Sequence, residues 1–292
     1  MKKIKILFII NPISGTGKQK SVDALIDKHI DRDKFEYSIV YTKTGGDATK
    51  ISKEAIGENF NIIVAVGGDG SINEIAKSIV NTNVSLGIIP TGSGNGLANH
   101  LHIPIKLIPA IEVINRNKTT NIDTASINKN LFVSIAGMGF DGLISKKYAN
   151  VNKRGFWPYF RLVTEEFQKY KPKTYKIFID GKKIMVDALM INFANTDQFG
   201  YNTSIAPEAK INDGMIDVAI LQKPPLIKIP YLVHLLYHKK IHHSKFMQLI
   251  KAKEVVVFQK KKRVVNVDGE AIKLGKRIKV RIKPASLKII IP

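Results

Sequence analysis

The sequence predicts an α/β chain with two parts: an N-terminal parallel α/β domain over residues 1–118 and a C-terminal antiparallel β-sandwich-like domain over residues 119–292. Three observations carry this reading. In the first third, short apolar runs alternate with amphipathic stretches, the pattern of a parallel sheet covered by helices. After about residue 118, short strand-like runs broken by turn dipeptides take over, as in an antiparallel sandwich. Each of the first four strand candidates is followed by a loop rich in glycine and hydroxyl residues, at the edge where open α/β sheets take their ligands.

The elements follow in order. The opening MKKIKILFIINP has a basic flank and a short apolar run. That run is short for the apolar core of a leader peptide, and no small-residue cleavage pattern follows it, so it reads as a first buried strand over Lys5–Ile10. Further strands are expected at Tyr37–Tyr41, Ile62–Val66 and Leu86–Ile89, with helices at Ser21–Ile30, Asp47–Glu58 and Ile72–Val80. Their apolar residues recur at three- and four-residue spacing. In the second part, strands are expected at 119–126, 131–136, 174–179, 183–194, 215–221, 254–259, 263–267, 278–282 and 287–291. The turn dipeptides Asp180-Gly181 and Asp213-Gly214 separate some of them, and Phe156–Tyr170 and Pro230–Leu249 read as helices.

Composition narrows the function classes. Hydrophobic residues make up 44% of the chain, which argues against wholesale disorder. There is no cysteine, so disulfides and thiolate metal sites are excluded. No apolar run reaches the roughly 18–20 residues of a spanning helix. The formal net charge is +22. Such an excess suits an anionic partner: nucleic acid, an anionic membrane surface or a phosphorylated substrate. A solvated lysine-rich surface is the plain alternative for any one basic run, and the seven histidines show no metal-ligand spacing.

Residues 63–75, IVAVGGDGSINEI, are the most informative. A buried strand runs into Gly67 and Gly68, where main-chain N–H groups can approach a ligand without an intervening Cβ. Ser71 and Asn73 favour a helix start just beyond, and a helix N-terminus attracts phosphate. Asp69 lies between them, where a carboxylate beside phosphate has a use if a cation or a proton transfer needs it. The segment Pro90-Thr91-Gly92-Ser93-Gly94-Asn95-Gly96 is a second anion-binding candidate. Its glycines lack the spacing of the dinucleotide fingerprint. The first loop, Asn11–Lys18, is not a Walker A sequence, because Gly17-Lys18 is followed by Gln19 and no glycine stands at the required distance before them.

These motifs, in this order, resemble the catalytic domain of the diacylglycerol kinase and sphingosine kinase superfamily. Gly67-Gly68-Asp69-Gly70-Ser71 with Asn73-Glu74, and residues 90–98, carry the resemblance. Asn11-Pro12 with Ser14-Gly15, Thr42 with Gly46-Asp47-Ala48, Gly137-Met138-Gly139-Phe140-Asp141, Asn212-Asp213-Gly214 and Asp268-Gly269-Glu270 extend it along nearly the whole chain. The resemblance implies an ATP-binding first domain, a lipid-substrate second domain and a cleft between them in which the γ-phosphoryl group passes to a lipid hydroxyl.

It also implies roles. Asn11, Thr42, Gly67, Gly68, Asp69, Gly70, Ser71, Ile72, Asn73 and Ser93 would line the nucleotide. Asp69 would serve a magnesium and proton network, and Glu270 would be the general base. Lys210, Asp213 and Met215 would hold Mg²⁺ in the second domain, the lysine and methionine through main-chain carbonyls. Asp141 would lie near the lipid head group. Phosphoryl transfer needs positioned phosphates, a cation and a base, so these residue types suit the chemistry. Taken alone, Asp268-Gly269-Glu270 and Asp213-Gly214 read as hairpin turns.

Ser71 replaces the family's usual threonine and keeps the hydroxyl. The second loop, Gly-Ser-Gly-Asn-Gly, is nearer the sphingosine kinase-like form than that of bacterial diacylglycerol kinases, which leaves the acceptor open. The aromatic segment from Arg154 to Arg161, with Trp157, suits a membrane interface or an acyl-chain entrance, or simple packing of its helix. The expected partners are a lipid substrate and peripheral contact with an anionic membrane at its cytoplasmic face. A homodimer is left open, and no specific nucleic acid is expected. Two other functions compete: an NAD kinase-like soluble-substrate kinase, although no second-domain Asn-Glu-apolar-apolar run appears, and a non-enzymatic basic protein binding nucleic acid or membrane.

Overall fold

The computed structural model describes residues 3–12, 22–151, 155–200 and 203–292. The chain divides into two compact units, Met1–Ile122 with Ala285–Pro292, and Asp123–Pro284.

The first unit alternates strand and helix as expected: β1 (Ile4–Ile10), α1 (Val22–His29), β2 (Phe35–Tyr41), α2 (Asp47–Gly57), β3 (Ile62–Gly67), α3 (Asp69–Ile79) and β4 (Ser85–Pro90), then α4 (Gly96–His100) and α5 (Leu107–Arg116). The strands are parallel in the order β2-β1-β3-β4. β3 and β4 are buried at every position, as strands covered on both faces are. Ile6, Phe8, Val64 and Val66 pack with Ile26 of α1 and Ile111 and Ile114 of α5. Ser21, the expected start of α1, lies outside the described residues, as do Ser14, Gly15, Gly17 and Lys18.

Helix α3 begins at Asp69, three residues before the expected Ile72. Gly68 caps it in an extended conformation, and an acidic residue in the first turn suits the positive end of the helix dipole.

The second unit is an antiparallel sandwich. Its elements are β5 (Thr119–Ile127), β6 (Asn130–Phe132), β7 (Ile135–Gly139), α6 (Phe140–Tyr148), α7 (Phe156–Lys169), β8 (Lys173–Ile179), β9 (Lys182–Ala188), β10 (Met190–Ala194), β11 (Gln198–Gly200), β12 (Thr203–Ser204), β13 (Ile216–Leu221), α8 (Ile229–Tyr237), β14 (Met247–Ala252), β15 (Glu254–Phe258), β16 (Arg263–Val267), β17 (Glu270–Leu274) and β18 (Arg277–Ile290). One sheet holds β18-β15-β8-β9 with β5 and β6, the other β14-β13-β10-β7-β16-β17. Side chains of both sheets form one core, including Val255, Val257 and Ile278 from the first and Ile191, Phe193 and Val265 from the second. Helices α6, α7 and α8 pack on a second core with Met190 and Ala219.

Several expected elements differ. The run 183–194 is two strands, β9 and β10, broken at Leu189, whose N–H turns to Leu221 O. The expected helix over Pro230–Leu249 ends at Tyr237, because Lys239 takes a left-handed conformation (φ +57°). A short 3-10 turn and strand β14 follow it. The two expected strands near the end are one, β18. Residues 119–122 of β5 and Ala285–Ile290 of β18 belong to the first unit, where Ile289 pairs in parallel with Leu86 of β4 and Ser286 O accepts the N–H of Asn81.

Candidate active site

In the first unit the strand ends carry the candidate loops, and the parallel ladder runs one step past β1, β2 and β4. Asn11 N donates to Val66 O (3.0 Å), Thr42 N to Ile10 O (2.9 Å) and Thr91 N to Gly67 O (3.0 Å). Asn11, Thr42 and Thr91 are thereby fixed side by side at the sheet's edge.

The glycines there are required by close approach. A Cβ on Gly67 would lie 2.5 Å from Ser71 Oγ, and one on Gly92 would lie 2.5 Å from Gly68 Cα. The Gly67–Ser71 and Gly92–Gly96 loops therefore touch main chain to main chain. Asp69 Oδ1 accepts the N–H of Gly96 (2.8 Å), which fixes the carboxylate at the head of α3. Asn95, left-handed at φ +51°, closes the second loop by donating to Gly92 O (2.7 Å) and accepting from Gly92 N (3.0 Å).

Beside the loops lies a cavity of about 210 Å³, lined by Asn11, Thr42, Lys43, Ser71 and Glu74 among others. Asn11 Nδ2 donates to Ser71 Oγ (3.3 Å). Glu74 accepts the N–H of Gly46 (3.0 Å), tying α3 to the loop before α2. Asp47 accepts the N–H groups of Thr44 and Lys43 (2.8 Å each) and the Thr44 hydroxyl (3.1 Å). These bonds, Thr44's first, hold its carboxyl below the usual carboxylate range.

Three expected nucleotide residues, Asn11, Thr42 and Ser71, thus share one cavity. Gly67, Gly68, Asp69 and Gly70 adjoin it at the head of α3. Ile72 does not offer its side chain, which is wholly buried in the core, and Asn73 is buried as well. Ser93 is exposed on the second loop, away from the cavity lining.

The second unit holds the remaining candidates. Gly139, with φ +82°, turns the chain from β7 into α6 and sets Asp141 in the helix's first turn. Asp141 is buried and accepts from Asn192 Nδ2 (2.9 Å) and Asn266 Nδ2 (3.1 Å). Gly137 has to be glycine here, since a Cβ would overlap the Asp141 carboxylate. Burial raises the Asp141 carboxyl to about 6, and the two asparagines offset part of that rise.

Asn266 also accepts the N–H of Gly269 (2.9 Å), one residue before Glu270. Asp268 and Gly269 both have positive φ (+47° and +91°) and turn β16 into β17, so this segment is the hairpin that its sequence suggests. The buried Asp268 carboxylate accepts the N–H groups of Val133 (2.7 Å), Ser134 (3.0 Å) and Ile135 (2.9 Å). Glu270 is exposed at the first position of β17. The turn beneath it is therefore anchored twice, through Asn266 to Asp141 and through Asp268 to the start of β7.

The third set is Lys210, Asp213 and Met215. Lys210 and Asp213 are exposed, and Asp123 Oδ2 braces the turn by accepting the N–H of Gly214 (2.7 Å). Asp213 Oδ1 accepts the N–H of Met215 (3.0 Å), and Oδ2 pairs with Lys251 Nζ (2.6 Å). Lys251 also lies 3.4 Å from Asp217, whose carboxyl is raised by burial against the pull of that ammonium. A divalent ion on Asp213 would have to share or displace the lysine. Among the described residues, no group of three or more histidine, aspartate or glutamate side chains could hold a metal.

Asn95 belongs to the second glycine-rich loop singled out in the sequence. Sequence reasoning missed Asn192, Asn266 and Lys251, which sit in ordinary strand patterns.

Comparison with known proteins gives consistent neighbours for both units. The family model of the diacylglycerol kinase catalytic domain matches residues 5–127, and that of the YegS C-terminal NAD kinase beta sandwich-like domain matches residues 134–291. A diacylglycerol kinase of Staphylococcus aureus (strain bovine RF122 / ET3-1) is 29% identical over 277 residues, covering 92% of this chain and 86% of that protein. The diacylglycerol kinase of Staphylococcus aureus strain Newman matches to the same extent. The crystal structure of a diacylglycerol kinase from Bacillus anthracis str. Sterne covers 100% of this chain and 98% of its own, with a TM-score of 0.77 and 22% identity, a likeness of fold.

Proposed function

The chain belongs to the diacylglycerol kinase family, whose catalytic-domain and C-terminal-domain models together span most of it, and on that premise we propose that it is a lipid kinase passing the γ-phosphoryl group of ATP to a lipid hydroxyl. The acceptor is of the diacylglycerol or sphingoid-base kind, met at the cytoplasmic face of an anionic membrane. The observation that carries this reading is the pair of glycine loops in main-chain contact at the head of α3, with Asp69 tied to Gly96 beside the cavity of Asn11, Thr42 and Ser71.

A triphosphate is bound there by main-chain N–H groups and the helix N-terminus, which cost little reorganisation when charge shifts during transfer. Gly67, Gly68, Gly70, Ser71 and the main chain of Ile72 and Asn73 form this cradle, and Ser93, exposed on the loop that packs against Gly68, would meet the nucleotide from outside the cavity. Asp69 is the carboxylate that would hold a magnesium ion, which would supply positive charge to the phosphates. Glu270 takes the proton of the lipid hydroxyl as that oxygen attacks. Its anchored turn holds the carboxylate in place without burying it, so the base stays reachable. Asp141, fixed by Asn192 and Asn266, orients the head group. Lys210, Asp213 and Met215 are the residues that would hold a cation in the second unit, where Lys251 now pairs with Asp213.

Labelled ATP, with mixed micelles of diacylglycerol, monoacylglycerol or sphingosine, tests the reading. Labelled lipid from at least one acceptor is expected. Protein that binds ATP and labels none of them in a whole lipid extract overturns it. A second reading has one specific support, the NAD kinase-like description of the matched C-terminal domain. NAD offered as acceptor in the same assay decides between them.

A further inference from the structure

Between Asp217 and Glu254 the chain has no acidic residue, yet it carries seven lysines and four of the seven histidines. Helix α8 lies in this stretch, after a 3-10 turn over Leu226–Lys228. Its inward side is ordinary: Leu232 and Leu235 are buried in the core beneath the second sheet, with Ile229 and Leu236 against them.

The outward side is not. Ile227 is 85% exposed and Leu226 56% exposed, with Tyr231, Val233 and Tyr237 also open to solvent. A helix apolar on both sides is normally buried, and an exposed apolar patch marks an interaction surface. Lys228, Lys240 and Lys245 are exposed on the same stretch.

We infer that the Leu226–Tyr237 face is a docking surface for an anionic lipid bilayer. This inference rests on the lipid-kinase reading, since it names how that enzyme reaches its acceptor. Leu226 and Ile227 enter the boundary between head groups and acyl chains, and Tyr231 and Tyr237 sit at head-group depth. The exposed lysines meet the lipid phosphates. A second copy of the chain is a poorer occupant. A two-fold contact sets a surface against itself, and here it would turn the exposed Lys228, Lys240 and Lys245 toward their own copies, while Asp197, the carboxylate beside this stretch, is already paired with Lys239.

Co-sedimentation with vesicles, without ATP or acceptor, tests the surface. The full chain should bind phosphatidylcholine vesicles containing phosphatidylglycerol, hardly bind phosphatidylcholine alone, and release as salt rises. Ile227→Asp should weaken binding to the anionic vesicles at least roughly tenfold. Tyr231→Ala should weaken it less, and both should melt at the wild-type temperature. Ile227→Ser replaces the aspartate variant if that one melts early. Wild-type binding by Ile227→Asp, equal binding to neutral vesicles, or a wild-type dimer that Ile227→Asp turns into a monomer each overturns the proposal. A protein that binds these vesicles but phosphorylates no lipid sinks the kinase reading alone. One that phosphorylates lipid in detergent micelles but ignores vesicles sinks the docking surface alone.

Discussion

Asp69 accepts the main-chain N–H of Gly96 at 2.8 Å, so one carboxylate both heads α3 and ties the two glycine loops together. Charge and tether can be separated. Asp69→Asn keeps an oxygen for Gly96 and loses the charge, so turnover should fall at least about a hundredfold with the melting temperature nearly unchanged. Asp69→Ala loses both and should also melt earlier. Steady-state kinetics beside thermal unfolding read this, and full turnover by Asp69→Asn would remove the residue from the chemistry.

The contact between the loops predicts a contrast between two glycines. A Cβ at Gly92 meets the Gly68 main chain, whereas nothing lies within 4 Å of one at Gly70. Gly92→Ala should cost about 1–3 kcal/mol and weaken ATP binding. Gly70→Ala should leave stability within about 0.5 kcal/mol of wild type. Chemical denaturation and nucleotide titration of both variants check this.

Glu270 and Asp268 are two residues apart and should behave in opposite ways. Glu270→Gln removes an exposed carboxylate, so turnover should fall by at least about a hundredfold at constant stability. Asp268→Ala strands the N–H groups of Val133, Ser134 and Ile135 and should destabilise by about 3 kcal/mol or more. Unfolding curves and turnover for the two variants form the test. A stable, active Asp268→Ala would mean that the turn is not held from β7.

Asp141 gives a pH signature. Its carboxyl, raised by burial to about 6, keeps its proton at pH values where the unfolded chain, at 3.8, has lost it. Its contribution to stability is therefore greatest below about pH 4 and declines as pH rises through 6, by about 3 kcal/mol. Asp141→Asn does not titrate, so the variant should gain on wild type across that window. Urea unfolding at a series of pH values measures the difference, and a flat difference would contradict a raised carboxyl.

Lys251 and a divalent ion compete for Asp213. Lys251→Met leaves Asp213 and Asp217 without their ammonium. Stability in chelator should fall by about 1–2 kcal/mol, reduced because the lysine is partly exposed. Added Mg²⁺ should recover part of the loss in the variant and change wild type less. Recovery that also occurs in Lys251→Met/Asp213→Asn would place the ion elsewhere.

What was legible in the sequence follows from how locally each feature is determined. Strands β1, β3 and β4 could be read because burial on both faces leaves nearly continuous apolar runs, whereas the edge strand β2, with only Phe35 buried, was legible only from Tyr37 onward; their loops could be read because glycine and asparagine mark unusual backbone. Helix α8 was overrun because Ile241, Met247 and Leu249 continue an apolar pattern while the chain turns at Lys239. Asn192 and Asn266 gave no signal, since a lone asparagine in a strand looks the same whether it faces solvent or a buried aspartate. Asp268 announced its turn, but its bonds to residues more than 130 positions earlier could not be seen from the neighbouring sequence.

The placement of Ala285–Ile290 beside β4 bears on how the protein is made. The first unit is open along one border until all of the sandwich has been synthesised, because Ile289 and Ile290 arrive only then. At ordinary ribosomal speeds this wait is on the order of ten to thirty seconds. During it the nascent β4 border is bare, a stage at which chaperones could engage it and the part of biosynthesis most exposed to misassembly.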